Sequence, residues 1–256
     1  MENVITSVNN PIIVSAKKLN TKKYRTLNNA VLIEGVKFIL DAFNSGMPIK
    51  QIFVDKNKYS EHKDFIERAK CPFYLISEHI VSYLADSESP QGLFAEFDIT
   101  KKINSLKPPD GNFLVLDCLQ DPGNVGTIVR TAAASGFDTI YLINSADYLS
   151  AKVIRSSAGM IFKINLFNVS YDELLKITSE NKLNLICADM KGENIYKFKP
   201  NLSSFGIVIG NEGNGVSEVL RGACKFTVSL PMKNGVESLN AGVTASILMY
   251  TLLEVK

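Results

Sequence analysis

Apolar positions along the chain follow two periods, and the switches between them lay out its elements. Val125, Ile128, Val129, Ala132, Ala133 and Gly136 fall at i, i+3, i+4, i+7, i+8 and i+11, a single helical stripe. Asp121-Pro122-Gly123 forces a turn just before it, so Asn124 stands at the expected N-cap. Arg130 lies off the stripe. It shares the polar face with Thr127, Thr131 and Ala134, where small groups surround one permanent cation. Such a face suits an anion held close to the helix, phosphate above all, and a surface ion pair is the alternative reading.

Residues 1–98 open with a lysine-rich amphipathic stretch and then alternate. The pattern predicts strands at 30–33, 49–54, 73–76 and 93–97, helices at 36–43 and near 61–69, and a short helix between the last two strands. That is a small α/β domain. Residues 99–111 turn to Lys, Ser, Pro-Pro and Asp-Gly, the composition of a linker, and a second domain occupies 112–256. There, strands are expected at 113–116, 139–143, 162–166, 185–188, 206–209 and 225–230. Helices follow the first strand, span 171–181, and close the chain after Glu237. Fully apolar strands alternating with helices predict an α/β fold with a mostly parallel sheet covered on both faces. Ligands of such sheets bind beyond the C-terminal strand ends, where DPGN, GNEGNG and PMKNGVESLN lie.

Composition narrows the classes. The 256 residues are 46% apolar, enough for a real core, and the net charge of +2 means that any nucleic-acid role must rest on local sites. Cys71, Cys118, Cys187 and Cys224 are widely spaced, with neither a CxxC pair nor a nearby His62 or His79. No zinc site or disulfide framework is expected, and reduced thiols fit the cytoplasm. The N-terminus carries no apolar leader, and the apolar run 241–253 is too short to span a bilayer and reads as a buried helix.

Three segments could carry chemistry. Gly210 to Ser217, GNEGNGVS, has GxxGxG rather than GxGxxG spacing and comes late in the chain, so a dinucleotide site is weakly supported. Its glycines still demand a tight turn or a close ligand, and Glu212 between them is either a functional carboxylate or a solvated one. In LPMKNGVESLN, Ser238 and Asn240 suit a helix cap as well as a site, and Ala241, Gly242, Ala245 and Ser246 permit close helix packing. No Ser-His-Asp set, GxxxxGK[ST] loop or HExxH is present. Lys17-Lys18, Lys22-Lys23 and Lys101-Lys102, with Tyr24 and Arg25 beside the second pair, could touch a phosphate backbone or form a solvated face.

Taken in order, DPGNVGTIVRTAAASGFD, VIGNEGNGVS and LPMKNGVESLNAGVTASILMY resemble the three successive motifs of the SpoU/TrmH-type RNA 2'-O-ribose methyltransferases of the SPOUT superfamily, with KVIRSSAGMIF between the first two. NAVLIEGVKFILDA is similar to the N-terminal RNA substrate-binding domain of the longer members. The resemblance implies a deep trefoil knot, an exception to unknotted topology, and a small ribosomal-protein-like domain before it. It also implies S-adenosylmethionine held at Gly210, Leu230 and Leu239, with Asn124, Arg130, Glu212, Ser238 and Asn240 as the catalytic set. Arg130 would bind the phosphate beside the reacting hydroxyl, Asn124 and Glu212 would orient Arg130 or the ribose, and Ser238 and Asn240 would shape the site. Homodimers with the active site near the subunit contact are implied too. The chain departs at Ala241-Gly242-Val243, where the family usually has Val-Ser-Val.

The function so implied is 2'-O-methylation of structured RNA, with ribosomal RNA favoured by the N-terminal domain. The other readings are a tRNA 2'-O-methyltransferase and a noncatalytic RNA-binding or ribosome-assembly module. Asn124, Arg130, Glu212 and Asn240 together weigh against the module, since a binder would not need all four.

Overall fold

Asn10 caps the first helix, α1 (Pro11–Lys18), accepting from the Ile12 N–H at 2.9 Å, with Pro11 in the first turn where its missing N–H costs nothing. The computed structural model describes residues 4–100, 106–199 and 201–254. Backbone proximity divides them into two units, the first ending before residue 106 but also taking in Leu149–Ala151, the second holding the rest. Lys101 and Lys102 lie outside the described residues.

The first unit continues with α2 (Lys22–Asn28), β1 (Ala30–Glu34), α3 (Val36–Asn44), β2 (Ile49–Asp55), α4 (Tyr59–Ala69), β3 (Phe73–Ile76), α5 (Glu78–Leu84) and β4 (Leu93–Asp98). The strands form one sheet in the order β1-β4-β2-β3, antiparallel except for β2 and β3. Ile13, Ala16 and Leu19 pack with Ile80 and Leu84 against Leu32, Phe53 and Phe94, each large side chain contributing about 1.5–3 kcal/mol by its burial. Arg25 is buried in this unit, its Nη1 donating to the Leu19 carbonyl at 2.7 Å. It ties α2 to the end of α1 and is not available to a phosphate.

The second unit runs β5 (Phe113–Asp117), α6 (Pro122–Ser135), β6 (Thr139–Ile143), α7 (Ala151–Ser156), β7 (Asn165–Asn168), α8 (Tyr171–Glu180), β8 (Leu185–Asn194), β9 (Gly206–Ile209), α9 (Glu218–Ala223), β10 (Phe226–Ser229) and α10 (Ala241–Glu254). Its six strands are all parallel, in the order β10-β8-β9-β5-β6-β7. Because every strand points the same way, the segments after β5, β9 and β10 emerge at one edge. β5 is flanked by β6, which follows it, and by β9, which returns from later in the chain, so a crevice opens between their C-terminal ends. Phe113, Val115, Tyr141, Cys187 and Val208 pack with Leu174 and Leu220 of α8 and α9. α6 packs along α10, joined by a Thr131–Ser246 hydroxyl contact of 3.0 Å.

Four expectations change. The N-cap of α6 is Asp121, whose Oδ1 accepts from the Gly123 N–H at 2.9 Å, and Asn124 lies inside the first turn. Pro122 is the reason: proline is preorganised for the first helical position, which moves the cap back by three residues, from 124 to 121. The strand expected at 162–166 is split. Ala158 and Gly159 take left-handed conformations and lead into a short 3-10 turn, Met160–Phe162, before β7 begins at Asn165. β8 outruns its apolar stretch as far as Asn194, where its outer residues are no longer buried. On α10, Ala245, Leu248, Met249 and Leu252 are buried, whereas Val243 and Tyr250 are exposed. No described helix is long and apolar enough to cross a membrane.

Candidate functional site

The site begins with the turn after β9. Asn211 and Gly215 exchange two backbone hydrogen bonds of 2.9 Å, and the Asn211 Oδ1 accepts from the Gly213 and Asn214 N–H groups at 3.0 and 3.1 Å. Its Nδ2 donates to the Cys118 carbonyl at 2.9 Å and pins the turn to the end of β5. A Cβ on Gly210 would overlap the backbone of Gly215 and Val216, so the chain's own return demands glycine there.

That turn presents Glu212 to the start of α6. Its carboxylate accepts from the Asn124 Nδ2 at 3.0 Å, the Asp121 N–H at 3.3 Å and the Gln120 N–H at 3.4 Å. Asn124 in turn accepts on Oδ1 from the Asn240 Nδ2 at 2.7 Å. Asn240 caps α10, its Oδ1 accepting from the Gly242 N–H at 2.9 Å and the Val243 N–H at 3.3 Å. Both amides are therefore fixed in orientation by a polar path from a carboxylate to a helix N-terminus. Partial burial works against the Glu212 charge. The Asn124 amide and the backbone N–H groups, those of Asp121 and Gln120 included, outweigh it and hold the carboxyl below its usual range.

Beside this path lies a cavity of about 610 Å³, within the usual range for small-ligand sites. Gly210, Leu230 and Leu239 stand in its wall, as do Glu212, Ser238 and Asn240. Ser238 is exposed there and has no hydrogen-bond partner among the described residues. Ile209, Val228 and Leu248 supply apolar surface, and turns supply backbone polar groups. Asp189, which the sequence reading passed over, also lines the cavity, with Arg221 2.7 Å away. Burial opposes its charge, but the Lys191 N–H and the Arg221 guanidinium keep the carboxyl below its ordinary range.

Arg130 stands apart. It is six residues from Asn124 on α6, which turns it about 120° around the helix, and it does not line the cavity. The residue is exposed, and its guanidinium has no ion-pair or hydrogen-bond partner among the described residues, which removes the surface ion pair as its explanation. Glu212 therefore orients Asn124 and not Arg130. Within one chain, Asn124, Glu212 and Asn240 meet, Ser238 lines the neighbouring cavity, and Arg130 is left facing solvent. Asn211 and Gln120 were missed as supports. An asparagine ahead of Glu-Gly is a turn-forming signal that could have flagged the first, and nothing local marks the second.

Comparison with known proteins places these features in context. The SpoU rRNA Methylase family matches residues 111–250, and the MRM3-like substrate binding domain matches residues 10–95. The chain is 32% identical over 250 residues to the 23S rRNA (guanosine(2553)-2'-O)-methyltransferase RlmP of Bacillus subtilis (strain 168), covering 97% of this chain and 98% of that one. A crystal structure of an RNA 2'-O ribose methyltransferase superposes with a TM-score of 0.83 at 27% identity, over 99% of both chains. An AdoMet-bound rRNA methyltransferase from Sinorhizobium meliloti shares the fold, with a TM-score of 0.86 at 21% identity over 98% of this chain and 97% of that one.

Proposed function

The chain belongs to the SpoU rRNA methylase family, and from that premise we propose that it is an S-adenosylmethionine-dependent enzyme that methylates a ribose 2'-hydroxyl of large-subunit ribosomal RNA in the cytoplasm. The observation that carries this reading is the path Glu212–Asn124–Asn240, which ties all three characteristic segments together beside the cavity. The RlmP relative, matched over its full length, supports ribosomal RNA as the substrate. Residues 1–98 serve as the RNA-binding domain and 112–256 as the catalytic domain, with the C-terminal chain threaded into a knot.

The cavity fits S-adenosylmethionine. Apolar side chains of Ile209, Val228 and Leu248 suit an adenine, the segments at Gly210 and Leu230 offer backbone groups to its edge, and the Glu212 carboxylate, which has no cationic partner among the described residues, suits a cationic ligand. When bound, the cofactor supplies a methyl group already activated on a sulfonium. The protein's task is then to place a hydroxyl in line and favour loss of its proton. Asn124 and Asn240, held rigid by the path, position the ribose, while Ser238 faces the cavity with its hydroxyl uncommitted. Glu212 stays ionised and is occupied by three donors, so it orients and does not shuttle protons. Arg130 binds the phosphate next to the hydroxyl and stabilises the developing alkoxide; arginine is not deprotonated in proteins, so it is not the base.

A single chain leaves Arg130 away from that group, and α10 exposes Val243 and Tyr250. A homodimer formed over α6 and α10 would cover these residues and set Arg130 beside a cavity. The test supplies radiolabelled S-adenosylmethionine with separate ribosomal and transfer RNA pools and maps the product, beginning with the nucleotide that the relative's name specifies. Label in the ribose of 23S RNA is expected. Arg130→Ala should lower turnover by at least 100-fold with cofactor affinity unchanged. Base methylation, or full activity in that variant, would overturn the mechanism; label confined to tRNA would move the substrate, and none in any RNA would leave a binding module.

A further inference from the structure

Residues 1–98 carry twelve basic and twelve acidic side chains, so the first domain is neutral as a whole. The charges are not evenly spread. Residues 1–33 hold Lys17, Lys18, Lys22, Lys23 and Arg25 against the single Glu2, a net of +4, and residues 34–98 hold seven basic and eleven acidic groups, a net of −4. No acidic residue occurs in α1 or α2. Arg25 is buried and engaged with Leu19, which leaves the four lysines as the positive face.

The structure gathers them. The Lys18 and Lys23 ammonium groups both lie over the Tyr24 ring, 5.3 and 5.9 Å from its centroid, and Lys17 lies over Tyr83 at 5.2 Å. Lys18, Lys22 and Lys23 are exposed, and none of the four lysines makes an ion pair among the described residues. By contrast, Lys50 and Lys63 elsewhere on this domain pair with Asp98 and Glu67. Two like charges sharing one ring repel each other, and no acidic side chain among the described residues pairs with either of them. A polyanion would.

We propose that the α1–α2 surface, carried by Lys17, Lys18, Lys22 and Lys23 around Tyr24 and Tyr83, is the face through which the first domain grips the phosphodiester backbone of its RNA. This rests on the reading of the protein as an RNA methyltransferase and adds the surface that docks the substrate. Such contacts position the RNA without reading its sequence. The exposed Leu27 on the same helix, 71% accessible, adds an apolar contact for a sugar or base at the patch edge.

The experiment uses the full chain with all four lysines changed to glutamine, and Lys50→Gln/Lys63→Gln as the control. Filter binding to 23S RNA across a salt series, cofactor binding by calorimetry and methyl transfer are measured in parallel. The expected result is a loss of RNA affinity of about tenfold or more, with the slope of log K against log salt shallower by roughly three. Cofactor affinity should be unchanged, and the control should behave as the parent. An unchanged slope in the fourfold variant, or an equal loss in the control, would overturn the inference while leaving the activity standing. If the parent protein neither binds nor methylates RNA, it is the function reading that has failed.

Discussion

Asn124 occupies a position at which one atom decides the sign of an interaction. Its amide donates to Glu212 and accepts from Asn240, and replacing it by aspartate would set two carboxylates against each other. In the parent protein the Glu212 carboxyl titrates below its unfolded range, so it contributes stability present above the ordinary glutamate pKa of about 4.3, lost as pH falls through the lowered value. In Asn124→Asp the pair would share a proton, raising the folded pKa and reversing the slope. Thermal melts from pH 4 to 8 should show the variant nearest the parent at the acid end and least stable at the alkaline end. Parallel curves would mean that Asn124 and Glu212 are not coupled. Sequence made Asn124, Glu212 and Asn240 legible as candidates through the order of their segments. It misplaced Asn124 as a cap because Asn and Asp cap equally well, and only the Pro122 ring breaks the tie.

Among the elements, those that alternate cleanly between buried strand and amphipathic helix were legible. β6 and β9 match their expected ranges because every residue in them is buried. The segment 161–164 was not legible as a turn, since Ile161, Phe162 and Ile164 alternate around Lys163 as a strand would and are buried without joining the sheet. Gly242 sits where α10 packs on α6: a Cβ there would lie 3.2 Å from the Thr127 Cβ, so the neighbouring side chain would have to give by a few tenths of an ångström. A harsher demand falls on Gly210. Gly210→Ala would drive its methyl into the backbone of the Asn211–Gly215 turn and shift Glu212, at a cost of about 1–3 kcal/mol. Chemical denaturation should show that loss together with weakened cofactor binding. Unchanged values for both would mean that the turn yields easily.

For the whole molecule, the proposed dimer makes the clearest demand. Light scattering on the purified protein should give twice the chain mass, and Val243→Glu combined with Tyr250→Glu should give monomers that bind cofactor but have lost turnover. A fully active monomer would place Arg130's role elsewhere. Composition gave no hint of the molecule's main electrostatic feature, because a net charge of +2 conceals a first domain whose opposite charges sit in different parts of its chain. A neutral domain with separated charge feels little net pull from a distant polyanion, but it does feel a torque. Approaching its RNA, it would turn its lysine face inward before being drawn in, and within a screening length of roughly 8–10 Å that rotation becomes attraction. Encounter would thus select orientation first and affinity second, so collisions in the wrong attitude are shed before any base is inspected.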